Sequence, residues 1–216
     1  MSRVILFDVD GTLVDSNYLH VLAWSRAFTD AGHDVPMWRL HGLIGQGSSR
    51  LVESVLGHGD DGVVDGHSRH YGEWIHTVRA LPGAADLLRR TKRAGIDVVL
   101  ATSASAEELE TLRGVIDADD VIDHATSKDD ADASKPAPDI VQAALAAGGY
   151  RAEDALLVGD AVWDVEAARR AGIDCVAVRS GGISAAELRD AGAIAVYDDA
   201  ADLAAHFASS PLALRG

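Results

Sequence analysis

Short runs of β-branched and aliphatic residues recur along the 216-residue chain, each followed by a segment with helical periodicity. That alternation constrains the fold more than any other feature, because strands separated by helices pair side by side and in parallel. The strand candidates are Arg3–Phe7, Asp97–Ala101, Val121–Ile122, Ala155–Val158, Cys175–Val178 and Ala195–Tyr197. Several are almost uninterrupted apolar runs, as expected of strands covered on both faces. Helical patterns fall at Ala84–Ala94, Ala106–Arg113, Pro138–Ala147, Val165–Ala171, Ala185–Ala191 and Ala200–Ala208. Gly95, Gly148 and Gly172 follow three of them, where glycine in a left-handed conformation ends a helix. The expectation is an α/β fold with a doubly wound parallel sheet.

One stretch breaks the rhythm. From Asp15 to Leu81 no strand pattern occurs. Ser16–Ala31 is helical, with Leu19, Leu22, Ala23, Ala27 and Phe28 on one face, and Ser48–Leu56 and Val63–Val78 are helical too. Leu81-Pro82-Gly83 marks the return to the sheet with turn residues. Residues 16–81 are therefore expected to form a helical cap between the first two core strands, and 1–15 with 82–216 the α/β core.

Charge narrows the function. Lys and Arg number 19 against 34 Asp and Glu, a formal net charge of −15. Sequence-independent nucleic-acid binding needs the opposite balance, and so does adsorption to an anionic membrane. No segment approaches the length of a membrane span. The single cysteine, Cys175, forms no intrachain disulfide, which fits a reducing compartment, and the expected location is the cytoplasm.

The first strand runs into Asp8-Val9-Asp10-Gly11-Thr12. Two acids two residues apart on an extended segment point the same way. At about 4 Å and an effective dielectric near 20 their repulsion is about 4 kcal/mol. A divalent cation or a raised pKa relieves it; an acidic turn at a loop top is the alternative. The strand Ala155–Val158 runs into Gly159-Asp160-Ala161-Val162-Trp163-Asp164, with two more acids four residues apart. In a parallel sheet the carboxyl ends of the strands share one edge, where ligands bind. Asp8, Asp10, Asp160 and Asp164 thus converge on one hard-cation site, with oxygen ligands that suit Mg²⁺. For Asp164 a simple helix N-terminal acid is equally consistent.

Two further loops suit an anion. Val98–Ala101 ends in Thr102-Ser103 ahead of a helix, where hydroxyls and free N–H groups cradle phosphate or merely cap the helix. Ser134-Lys135-Pro136-Ala137-Pro138-Asp139 holds a lysine in a proline-braced turn.

In order and spacing these four loops resemble the four motifs of the haloacid dehalogenase-like hydrolase superfamily. The resemblance spans essentially the whole chain, and it includes a helical cap after the first motif. Leu81-Pro82-Gly83-Ala84 and Asp15-Ser16 are similar to the phosphatase branch with phosphoglycolate phosphatase. The resemblance implies a Rossmann-like core. It also implies an Mg²⁺-dependent phosphatase acting on a small phosphorylated metabolite through an aspartyl-phosphate. Asp8 is then the nucleophile and Asp10 the acid and base, with Thr102 and Lys135 on the phosphoryl oxygens. Backbone N–H groups of Gly11, Thr12, Ser103 and Ala104 assist, and Asp8, Asp10 through its carbonyl, Asp160 and Asp164 serve the metal. Asp10 favours phosphoryl transfer over dehalogenation, because an alkoxide leaving group needs a proton and a halide does not.

The cap is expected to carry the leaving-group pocket. Its candidates are His20, Trp24, His41, Gln46, Ser48, Ser49, Arg50, Trp74 and His76, with His20, Gln46 and Arg50 foremost. Trp24 reads as core. His67, His70 and His76 read as one solvated helix face. The Asp8, Asp10, Asp15, His20 series also resembles β-phosphoglucomutase, but Arg50 is displaced from that enzyme's phosphate-binding arginine, so hydrolysis ranks above mutase activity. A non-catalytic phosphate-binding regulatory module ranks third.

Overall fold

The computed structural model describes residues 3–130 and 135–214. Six parallel strands form one sheet: β1 (Val4–Phe7), β2 (Asp97–Ala101), β3 (His124–Thr126), β4 (Ala155–Gly159), β5 (Asp174–Val178) and β6 (Ala195–Tyr197), in the order β3-β2-β1-β4-β5-β6. This is the doubly wound order whose direction reverses between β1 and β4, where such sheets bind ligands.

Alternation along each strand builds two cores. Ile5 and Phe7 of β1 pack on one face with Val98 and Leu100 of β2 and Val158 of β4. Val4 and Leu6 pack on the other with Val99, Ala101 and Leu157. The helices α5 (Ala84–Arg93), α6 (Ala106–Ile116) and α10 (Ala200–Ala205) supply Leu88, Leu112 and Leu203 to the first face. The helices α7 (Asp139–Gly148), α8 (Val162–Ala171) and α9 (Ala185–Ala191) supply Val141, Val165 and Leu188 to the second. Every residue of β1 is buried, which explains its unbroken apolar run.

Between β1 and β2 lie α1 (Asn17–Asp30), α2 (Met37–His41), α3 (Ser48–Leu56) and α4 (Asp61–Gly72). They enclose a third core with Val21, Trp24, Phe28, Leu40, Leu51 and Val63. The α1 stripe runs Val21, Trp24, Ala27 and Phe28, while Leu19 and Leu22 are only half-buried. Gly66 of α4 lets the two helices approach, since a Cβ there would sit 3.2 Å from that of Ala27.

Several boundaries differ from the sequence pattern. Val121–Ile122 is not a strand: Asp119–Val121 is a 3-10 turn whose apolar side chains pack on the core. The Asp123 carboxylate takes the Val98 N–H at 2.9 Å, and ladder pairing starts only at His124. The helix after it ends one glycine later than expected, with Gly148 helical and Gly149 left-handed at φ 66°. The helix at residue 63 stops at Gly72, and Ile75–Thr77 is a separate 3-10 turn. A like break at His206 shortens α10. The helix expected from Val165 begins at Val162, which puts Asp164 in its first turn. Met37–His41 is too short to show a period.

Candidate active site

β1 ends against β4, and the Asp8 N–H still bonds the Val158 carbonyl at 2.9 Å. Asp8 is thus held by the ladder at the carboxyl edge of the sheet, 5% exposed. The chain then turns tightly, with Leu13 N–H on the Val9 carbonyl at 2.8 Å. Gly11 sits in this turn at φ +74°, where a Cβ would collide with the Asp160 carboxylate and the Asn17 amide.

The neighbouring strand delivers Asp160 to the same place. Thr12 Oγ1 donates to Asp160 Oδ1 at 3.1 Å and lies 3.4 Å from Asp8 Oδ2. Asp164 does two things at once. Its Oδ2 accepts the Ala161 N–H at 3.0 Å, the helix-start role, and its Oδ1 is 2.7 Å from Lys135 Nζ. Lys135 is 2% exposed and also meets Asp8 Oδ1 at 2.5 Å. Its preceding residue, Ser134, lies outside the described residues. One oxygen each from Asp8, Asp160 and Asp164 lies within 4.8 Å of the others.

Burial and then neighbouring charge set the ionisation of this group. Burial, with Asp164 and Asp10 as like charges, outweighs Lys135 and pushes Asp8 up to about 7. Burial and the charges of Asp164 and Asp8 hold Asp160 well above the usual carboxylate range. Burial opposes the charge on Lys135, but Asp164 and Asp8 more than offset it and raise its pKa.

Asp10 is set apart. Its Oδ1 accepts from Ser16 Oγ at 2.5 Å and lies 3.3 Å from His20 Nε2, while Thr102 Oγ1 is 3.5 Å from Oδ2. Burial alone would raise its pKa; the hydrogen bond and charge of His20, with Ser16, hold it below the ordinary value. Its side chain is not part of the three-acid cluster. Thr102 is fully buried and its Oγ1 accepts the Ala104 N–H at 3.0 Å. The Ser103 hydroxyl is buried without a partner among the described residues and faces the pocket with Ala104.

That pocket is walled by Asp8, Asp10, Lys135 and Asp160 from the sheet edge, and by His20, Trp24, Gln46 and Ser48 from the helical insertion. The other insertion candidates lie elsewhere. Arg50 and Ser49 are exposed on α3, because the turn of the helix carries them away from Ser48 and Leu51. Trp74 and His76 belong to the turn after α4 and do not line the pocket. His41 bonds the Gly181 carbonyl at 2.9 Å instead.

The solvated histidine face is also overturned. His67 is 6% exposed, stacks on Trp24 with ring centroids 4.0 Å apart and meets His20 Nδ1 at 3.1 Å through Nε2. Burial, then the charge of His20, keeps its pKa well below the usual histidine value. His70 pairs with Asp30 at 2.8 Å, and His76 is not on that helix. Trp24 is core and pocket wall together. The sequence reading also missed Ser16 and Asn17; Asn17 Nδ2 donates to Asp160 Oδ2 at 2.9 Å.

A buried acid–lysine cluster thus sits at the switch point of a parallel sheet, with a separate acid two residues after the first. A family model described as haloacid dehalogenase-like hydrolase matches residues 5–178. The protein CbbY of Cereibacter sphaeroides is 30% identical over 193 residues, covering 82% of this chain and 84% of that protein. A phosphoglycolate phosphatase of Pseudomonas putida is 26% identical over 192 residues, 84% of this chain and 71% of that one. The chain also aligns at 29% identity over 205 residues, 90% of its length, with the Arabidopsis thaliana protein SUPPRESSOR OF QUENCHING 1, chloroplastic, and spans only 19% of it. Among solved structures, a hydrolase from Pseudomonas syringae superposes with a TM-score of 0.90 at 33% identity, covering 96% of this chain and 99% of that one. CbbY from Rhodobacter sphaeroides in complex with phosphate gives a TM-score of 0.74 at 28% identity, with 94% and 96% covered. The chain belongs to the haloacid dehalogenase-like hydrolases.

Proposed function

We propose that this protein is an Mg²⁺-dependent phosphatase that hydrolyses a small phosphorylated metabolite through an aspartyl-phosphate on Asp8. The observation that carries the reading is the division of labour between the two acids of the first loop. Asp8 faces the Lys135 ammonium inside the cluster, while Asp10 is held outside it by Ser16 and His20.

The donor set suits a divalent cation. Three buried carboxylates lie together with one lysine, and burial with the like charges of Asp164 and Asp8 holds the Asp160 pKa high, a repulsion that a cation would relieve. Asp8, the Asp10 carbonyl and Asp160 would hold Mg²⁺, which would draw charge from the phosphoryl oxygens. Asp164 orients Lys135.

In the first step an Asp8 carboxylate oxygen attacks phosphorus, the ester P–O bond breaks, and Asp10 gives its proton to the departing alkoxide. The incoming phosphoryl charge raises the Asp10 pKa, which supports its protonated form at that moment. In the second step Asp10 takes a proton from water, whose oxygen displaces Asp8 from phosphorus and releases inorganic phosphate. Thr102, Lys135 and the Ser103 hydroxyl serve the phosphoryl oxygens, whereas the expected backbone donors are taken within their own loops: the Gly11 N–H by the Val14 carbonyl at 2.8 Å, the Thr12 N–H by the Val9 carbonyl at 3.2 Å and the Ala104 N–H by Thr102 Oγ1 at 3.0 Å. Residues 16–81 act as the cap over 1–15 and 82–216, with His20 and Gln46 toward the leaving group. The exposed position of Arg50 gives the mutase reading no support.

For the substrate, relatives named phosphoglycolate phosphatase and a CbbY structure holding xylulose-1,5-bisphosphate support a small phosphorylated acid or sugar. Among the described residues no helix is long and apolar enough to cross a membrane. The lone Cys175 supports a cytoplasmic location. The test is phosphate release from a panel of such esters with Mg²⁺. Release that stops with chelator and in Asp8→Asn supports the reading; unchanged turnover in Asp8→Asn refutes it.

A further inference from the structure

We propose that Asn17 is a positioning residue of the cation site: its Nδ2 fixes Asp160, and its Oδ1 accepts a hydrogen bond from water bound to the cation. The proposal rests on the cation reading above and assigns a role to the first residue of the helical insertion.

Asn17 opens α1 and is 4% exposed. Its Nδ2 lies 2.9 Å from Asp160 Oδ2 and 3.3 Å from the Gly181 carbonyl oxygen. The Gly181 carbonyl only accepts, so the nitrogen must face it; a flipped amide would set oxygen against that carbonyl oxygen. The orientation therefore leaves Oδ1 buried, with no partner among the described residues, on a side chain that lines the pocket with Asp8 and Asp160. Leaving a buried acceptor unpaired costs about 1–3 kcal/mol. Water in a polar site removes that cost, and Mg²⁺ characteristically keeps several waters, which offer only hydrogens outward.

The surroundings are shaped for this amide. Gly11 and Gly181 flank it, and a Cβ on either would strike the Asp160 carboxylate and the Asn17 amide. Ser180 Oγ donates to the Gly11 carbonyl at 2.6 Å and ties the two glycine loops together. With Thr12 on Oδ1 and Asn17 on Oδ2, both oxygens of Asp160 are oriented. Residues that orient metal-binding side chains typically carry a ten- to hundredfold share of metal affinity. Asn17 belongs to the insertion and Asp160 to the sheet, so seating of the insertion and affinity for the cation are coupled.

The test is calorimetric titration of the full chain, free of substrate, with MgCl₂. The parent should bind one Mg²⁺, and Asn17→Leu, which keeps the size and removes both hydrogen bonds, should bind about tenfold or more weakly. Equal Mg²⁺ affinity in parent and variant overturns the proposal and leaves the cation reading standing; a parent that binds no Mg²⁺ overturns both. If Asn17→Leu fails to fold, NMR on the parent decides. The Asn17 side-chain NH₂ resonances should move with the Mg²⁺ isotherm, and resonances that stay fixed overturn the proposal.

Discussion

Removing the proposed nucleophile should make the protein more stable. Asp8 has a pKa of about 7 in the folded chain against 3.8 for the free side chain. A carboxyl with a raised folded pKa favours the folded state at low pH and loses that advantage as pH climbs from the unfolded value to the folded one. At 1.36 kcal/mol per pH unit, ionised Asp8 costs the metal-free fold about 4 kcal/mol at pH 8. Asparagine stands in for the protonated acid and its Oδ1 still accepts from Lys135, which keeps Asp164 at 2.7 Å. Its NH₂ must find an acceptor that a carboxyl does not need, so the expected gain is about 2–4 kcal/mol. Urea unfolding in EDTA, followed by the fluorescence of the four tryptophans, measures it. The Asp8→Asn midpoint should lie about 1–2 M higher at pH 8, and the gain should fade toward pH 4. A variant no more stable than the parent at pH 8, or equally favoured at pH 4 and pH 8, would refute the electrostatic account.

Other perturbations separate the parts of the site. Lys135→Met leaves Asp8 and Asp164 without their shared cation and should cost about 3–5 kcal/mol as well as activity; an unchanged melting temperature without metal contradicts the pairing. His20→Phe keeps a ring on Tyr71 but removes the bond and charge that hold Asp10 low. Where the second step limits turnover, Asp10 must be ionised to serve as base, activity falls as pH drops through its pKa, and the variant should move that acid limb to higher pH. An unmoved limb in the kcat profile breaks the link between His20 and Asp10. Arg50→Ala should change kcat/KM by less than about twofold, as surface substitutions away from a site do; a tenfold loss would return Arg50 to the pocket.

The four loops were legible in the sequence because each places its chemistry at a strand end, and parallel pairing then fixes their meeting. Adjacent β1 and β4 bring Asp8 and Asp160 together whatever the surrounding detail. What escaped depends on long-range contact. Asn17 reads as an ordinary helix-start residue, and its partner is 143 residues away. His67 reads as one of several histidines on a polar helix until Trp24 of α1 stacks on it. Arg50 follows Ser48 by two positions, about half a helical turn, which turns it to solvent. Val121–Ile122 has strand composition, but Asp123 takes the first position on the edge of β2.

The central claim is that Asp8 itself captures phosphorus. The direct measurement is acid quench of the enzyme during turnover with Mg²⁺, followed by peptide mass spectrometry. The account predicts one phosphoryl group on the peptide containing Asp8, absent when substrate is omitted and absent in Asp8→Asn. A phosphoryl group on any other residue, or phosphate release at the parent rate from the Asp8→Asn protein, would contradict it.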